Sequence, residues 1–137
     1  MKQMISETFK IKNMDVEISE LLGKTFSNVQ REGDEEIIFL MSDGTKYKMY
    51  HQQDCCECVR IEDVEGDLED LIGSPILQAE ESTNNDAPRP EYAESYTWTF
   101  YKLATVKGYV TIRWLGESNG YYSEGVDLVK VEPNINF

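Results

Sequence analysis

Along most of the chain, apolar and polar residues alternate with a period of two, and helical spacing is confined to short stretches. Residues 36–41 and 45–50 flank Ser42-Asp43-Gly44, and Asp-Gly between two runs of β-formers predicts a hairpin. In its second strand Tyr47 and Met49 point one way, and Lys46, Lys48 and Tyr50 the other. Residues 59–64 alternate as a further strand, ended by Gly66. Residues 96–101 interleave aromatic and threonine side chains, with Tyr96, Trp98 and Phe100 on one face and Thr97, Thr99 and Tyr101 on the other. After a turn at Lys107-Gly108, residues 109–115 form the next strand, with Val110, Ile112 and Trp114 inward and Arg113 opposite, beside Tyr109 and Thr111. A turn at 116–120 and a final strand at 121–131 complete an antiparallel meander.

Helical signals are weaker. Ile18, Leu21 and Leu22, stopped by Gly23, predict a short helix or turn near 17–22, and a polar strand is expected over 25–31. Asp67 as N-cap, Asp70 in the first turn, Gly73 as stop and Pro75 beyond it predict one short helix over 67–72. Residues 76–80 suit a short strand. Residues 81–94, with Pro88-Arg89-Pro90, exceed the usual connection length and are expected to form a mobile loop. The expected fold is α+β, mainly antiparallel β-sheet (hairpin plus C-terminal meander) with one short helix. It is a single domain over 1–137, with 1–23 as a lead-in segment.

Composition narrows the picture. A hydrophobic fraction of 40% over 137 residues is enough for a real core. The sequence has no long apolar run and no apolar core near its start, so a cytoplasmic protein without membrane contact is expected. The net charge of −13 is uneven: thirteen acids against two arginines between residues 54 and 94 give −11 there and leave −2 for the rest. Such a field disfavours direct nucleic-acid binding and suits a basic protein partner, or simply an acidic, well-solvated surface.

The chemically densest stretch is residues 51–58, which holds the single histidine and all three cysteines. In a reducing cell Cys55, Cys56 and Cys58 are expected as free thiols, metal ligands or packing residues rather than a disulfide framework. A zinc site would need His51, Cys55 and Cys58 completed from elsewhere, and no second ligand pair exists, so no metal is assigned. A thiol nucleophile at Cys55 or Cys56 with His51 as base would be opposed by the surrounding carboxylates. The plainer expectation is that Cys55 and Cys56 are small buried groups at a strand-to-loop junction, while His51, Gln53 and Asp54 satisfy the turn. That many polar side chains, Glu57 included, also invites a ligand.

A second candidate is Ser118-Asn119-Gly120-Tyr121-Tyr122-Ser123, an Asn-Gly turn carrying two tyrosines. With Arg113, Lys107 and the aromatic strand 96–101, Trp98 included, it offers stacking faces, hydroxyls and a guanidinium, a set suited to a nucleotide-like ligand. No catalytic motif, and hence no catalytic residue or cofactor, is assigned.

The motifs Tyr50-His-Gln-Gln-Asp-Cys-Cys-Glu57, Gly66-Asp-Leu-Glu-Asp-Leu-Ile-Gly73, Ser95-Tyr-Thr-Trp-Thr-Phe-Tyr101 and Ser118-Asn-Gly-Tyr-Tyr-Ser123 carry a resemblance. The sequence resembles an uncharacterised family of small phage, prophage and bacterial proteins over most of residues 24–130. The resemblance implies a genetic setting in which such proteins act on host processes, including defence. The expected function is therefore a non-enzymatic binding protein that interferes with a host factor. It would sequester a nucleotide-like ligand through His51, Gln53, Asp54, Glu57, Trp98, Arg113, Ser118, Asn119, Tyr121 and Tyr122, or bind a host protein through its acidic surface. A homo-oligomer paired at open sheet edges is also compatible. The alternative is a small metal- or thiol-dependent hydrolase using His51, Cys55 and Glu57.

Overall fold

The computed structural model describes residues 13–85, 90–91 and 93–133. It consists of two antiparallel sheets sharing one core. Nine strands occur among the described residues: β1 (Asn13–Asp15), β2 (Asn28–Glu32), β3 (Glu36–Leu40), β4 (Lys46–Tyr50), β5 (Cys58–Glu65), β6 (Gln78–Asn84), β7 (Ser95–Thr105), β8 (Gly108–Ser118) and β9 (Asp127–Val131). One sheet has the order β1-β9-β4-β3-β2, the other β5-β8-β7-β6.

The hairpin β3–β4 forms as the Asp-Gly pattern predicts, with Ile37 opposite Met49 and Phe39 opposite Tyr47, all four fully buried. Asp43 accepts the Thr45 N–H inside the turn, and Gly44 takes a positive φ of 94°. From the second sheet Ile61, Tyr101, Leu103, Ile112 and Trp114 share the core with Phe39, Tyr47 and Met49 of the first and with Phe26, which precedes β2. Val110, Ile112 and Trp114 face inward as their alternation predicts.

Three expectations are corrected. The short helix over 67–72 is a single 3₁₀ turn, Leu68–Leu71, capped by the Asp67 side chain on the Glu69 N–H. Gly66 and Gly73, both at positive φ, close it on either side and leave too few residues to propagate an α-helix. A second 3₁₀ turn occupies Ile18–Leu21, so the described residues contain no α-helix and the α component of the α+β expectation is missing.

A meander exists, but it is β6–β7–β8. The last strand does not follow β8. Residues 119–126 carry the chain across to the other sheet, where β9 pairs with β4 on one side and β1 on the other. Finally, β6 runs through residue 84 into the stretch expected as loop, pairing Glu81 with Tyr101 and Thr83 with Thr99. Residues 86–89 and 92 of that stretch, and residues 1–12 of the lead-in, lie outside the described residues. No helix of the described residues is long and apolar enough to cross a membrane.

Candidate functional site

The chain leaves β4 at Tyr50 and enters β5 at Cys58, and the seven residues between are organised by one carboxylate. Glu57 is buried, whereas Cys55, Cys56 and Cys58 are exposed. This corrects the expectation that Cys55 and Cys56 are small buried groups. The reason is hydrogen bonding: a carboxylate can be buried where donors converge on it. Glu57 Oε1 accepts the Cys55 N–H at 2.9 Å, Oε2 accepts the Asp54 N–H at 2.8 Å, and Oε2 lies 2.6 Å from His51 Nε2.

Bonding to His51 is the largest influence on Glu57, and the Cys55 and Asp54 amides add to it. Together they override the opposing effect of burial and hold its carboxyl down at about 2. The other imidazole nitrogen, Nδ1, lies 2.7 Å from the Gly125 carbonyl. The ring thus bridges the Glu57 carboxylate and the Gly125 carbonyl, one through each nitrogen. Gln53 completes the turn by donating Nε2–H to the Glu57 carbonyl at 2.7 Å. Cys55 and Cys56 are joined as a disulfide between neighbouring residues, contrary to the expectation of free thiols; Cys58 is free.

A second carboxylate organises the connection from β8 to β9. Glu124 is partly buried, which works against its ionisation, but hydroxyls of Ser118, Ser95 and Thr97 hold its carboxyl below the usual range. Thr97 Oγ1–H donates to it at 2.7 Å, and Ser118 Oγ–H donates as well. Ser118 Oγ also accepts the Gly120 N–H, and Asn119 Oδ1 accepts the Tyr121 N–H. Ser118 and Asn119 thus build the predicted turn with their own side chains. Gly116 lets this connection lie directly on β8: a Cβ there would sit 2.3 Å from the Glu124 carbonyl oxygen. Tyr121 and Tyr122 meet edge to face with centroids 5.1 Å apart, and Tyr121 is 82% exposed.

Arg113 and Trp98 form a third group. They lie on the face of the second sheet turned away from the shared core, where Trp98 is buried and stacks on Phe100 at 6.4 Å. The Arg113 guanidinium lies 5.3 Å from the centre of the Trp98 ring, and its Nε donates to Asp63 at 3.0 Å.

The structure brings some of the expected site residues together and separates others. His51, Gln53 and Glu57 line a cavity of about 510 Å³ with Asp34 and Arg60. Ser118 and Asn119 share a second cavity of about 350 Å³ with Cys56 and Cys58, walled by Glu91, Glu94 and Glu117. Arg113 and Trp98 line neither cavity. Arg60 was not anticipated. Its guanidinium donates to Glu117 at 2.7 Å, Glu62 at 3.1 Å and the Cys58 sulfur at 3.3 Å, and the Glu117 contact holds it firmly charged. Its alternation with Glu62 on β5 was the available signal. Gly125 was missed because a backbone carbonyl leaves no trace in a residue pattern. Among the described residues no group of three or more His, Cys, Asp or Glu side chains is placed to hold a metal ion.

A family model described as a domain of unknown function (DUF7448) matches residues 19–128. No curated protein and no solved structure matches the chain.

Proposed function

The chain belongs to that family, and from this premise we propose that it is a non-enzymatic binding protein of phage type that withholds a planar, anionic, nucleotide-like ligand from host defence. The observation that carries this reading is the Arg113–Trp98 pair. Trp98 is buried, so what the pair offers a ligand is the guanidinium, about a third exposed and held in place above the ring. Asp63 holds the guanidinium through Nε alone, and no other described residue engages its two terminal nitrogens. The Tyr121–Tyr122 turn adds a further aromatic surface, and its side chains are exposed or partly so. Host interference comes from the resemblance and the family setting, not from the geometry.

A second reading is favoured by the cavity walled by Glu91, Glu94 and Glu117 and by the net charge of −13. Here the acidic face occupies a basic surface of a host protein, and binding falls steeply with ionic strength. The hydrolase alternative has less support. Both His51 nitrogens and both Glu57 oxygens are occupied in holding the loop, and Cys55 is tied to Cys56.

Native mass spectrometry of protein purified from cells, before and after denaturation, tests the proposal. Release of a nucleotide-sized mass, abolished in Arg113→Ala, is the expected result. A bare protein mass that stays bare after incubation with a panel of nucleotides overturns sequestration, and a salt-sensitive pull-down from host lysate then tests the acidic surface.

A further inference from the structure

Every cysteine in the protein lies within four residues, all three are exposed, and neither reading above uses them. Cys55 and Cys56 carry one disulfide, and Cys58 carries one thiol two residues on. Two residues span at most about 7 Å of chain, which is within the reach of a disulfide. Cys56 and Cys58 are both exposed and line the same 350 Å³ cavity. Arg60 Nη1–H donates to the Cys58 sulfur, placing a cationic donor on the atom that would carry charge as a nucleophile. The loop holding the disulfide is not slack: the amides of Asp54 and Cys55 are fixed on the Glu57 carboxylate.

We propose that Cys55, Cys56 and Cys58 form a thiol–disulfide exchange site, with Cys58 as the attacking sulfur. The Cys58 thiolate gives an electron pair to Cys56 Sγ and forms a Cys56–Cys58 bond. The Cys55–Cys56 bond breaks, and its electron pair leaves on Cys55 Sγ, which takes a proton from solvent. One disulfide and one thiol are present before and after, so no oxidant or reductant is consumed. Glu57 sits between Cys56 and Cys58 in the chain. Its carboxylate is bonded to His51, and through His51 the segment is tied to the Gly125 carbonyl of the 119–126 connection. The exchange site is therefore linked to the turn that carries Tyr121 and Tyr122.

The test is alkylation of the full chain, purified without reductant, with N-ethylmaleimide under native conditions, followed by digestion and tandem mass spectrometry. The expected result is one label per chain, found on Cys55 in some molecules and on Cys58 in others. After treatment with a small thiol reductant the count rises to three. In Cys58→Ser, where an exposed side chain changes by one atom, the unreduced protein takes no label. Three labels on unreduced wild type overturn the proposal by showing no disulfide. A single label confined to Cys58, even at mildly alkaline pH, overturns it by showing no exchange.

Discussion

His51 Nε2 lies 2.6 Å from Glu57 Oε2, and the same ring reaches Gly125 through Nδ1 at 2.7 Å, so one imidazole ties two loops that are 68 positions apart in sequence. The histidine and glutamate side chains are 4% and 0% exposed. Truncating the ring leaves a buried carboxylate and a carbonyl short of a donor. His51→Ala is expected to lower stability by about 1–3 kcal/mol, the cost of leaving buried polar groups unpaired. Equilibrium urea unfolding checks this, and hydrogen exchange should rise in both the 52–57 and the 119–126 loops. Faster exchange in only one loop would mean that the ring does not link them.

Glu57 also dictates a dependence on pH. Its carboxyl is held down to about 2 in the fold, against an ordinary value of 4.5, chiefly by His51 and then by the Cys55 and Asp54 amides. A depressed folded value means that the ionised group stabilises the fold. The contribution is complete above about pH 4.5 and is lost as the pH falls towards 2. Thermal midpoints should therefore decline across this interval. In Glu57→Gln the midpoint should be lower at pH 7 and its decline shallower. Parallel curves for the two proteins would assign the acid sensitivity to other carboxylates.

Gly116 makes a separate prediction about the same connection. A methyl group there would meet the Glu124 carbonyl oxygen at 2.3 Å and the Glu124 Cβ at 2.8 Å, and backbone cannot give way as a side-chain tip can. Gly116→Ala is expected to cost about 1–3 kcal/mol as an overpacking substitution. Part of the loss should appear as a released 119–126 segment, with the Thr97 and Ser118 contacts to Glu124 broken. Unfolding midpoints together with hydrogen exchange separate local release from global destabilisation.

Arg113 is the position at which the ligand reading is most exposed. Arg113→Ala removes both the cation and its contact with Trp98, together with its ion pair to Asp63. If a nucleotide-like ligand binds there, affinity should drop by at least about tenfold, given the strength of desolvated guanidinium contacts. Arg113→Lys should recover part of it, since an ammonium keeps the charge but not the planar fork. Isothermal titration against a ligand identified by native mass spectrometry reads both. Equal affinity in all three proteins would move the ligand away from this face.

The hairpin β3–β4 was readable because Asp43-Gly44 and the alternation about it are local, and hydrogen bonds within the turn settle the register. Other features depended on distant partners. Alternation separates Trp98 and Phe100 from Thr99 and Tyr101, but it cannot say which face meets the other sheet, and the core takes Tyr101. The destination of β9 was equally hidden, because its partners β1 and β4 begin and end more than seventy positions earlier. At the candidate site, the density of residues 51–58 marked the segment as chemically unusual but not its internal arrangement. The burial of Glu57 was not legible there, since the donors that permit it include two main-chain amides.

Thr99 and Trp114 stand directly opposite one another on β7 and β8, both facing the shared core. They are 1% and 0% exposed, and neither Thr99 Oγ1 nor Trp114 Nε1 has a hydrogen-bond partner among the described residues. A buried hydroxyl without a partner has lost its water and gained nothing in exchange. Thr99→Val keeps the β-branched shape favoured in a strand and replaces that hydroxyl with a methyl group. Its stability should therefore be unchanged or raised by up to about 1 kcal/mol, where the same replacement of a hydrogen-bonded hydroxyl would cost about that much. Thr99→Ala serves as the control, because it removes the methyl as well and should cost about 1 kcal/mol through lost packing. Chemical denaturation of the three proteins decides. A Val variant as unstable as the Ala variant would show that the Thr99 hydroxyl makes a stabilising hydrogen bond, and the buried row of Ile61, Trp114 and Thr99 would then hold a polar contact at its centre.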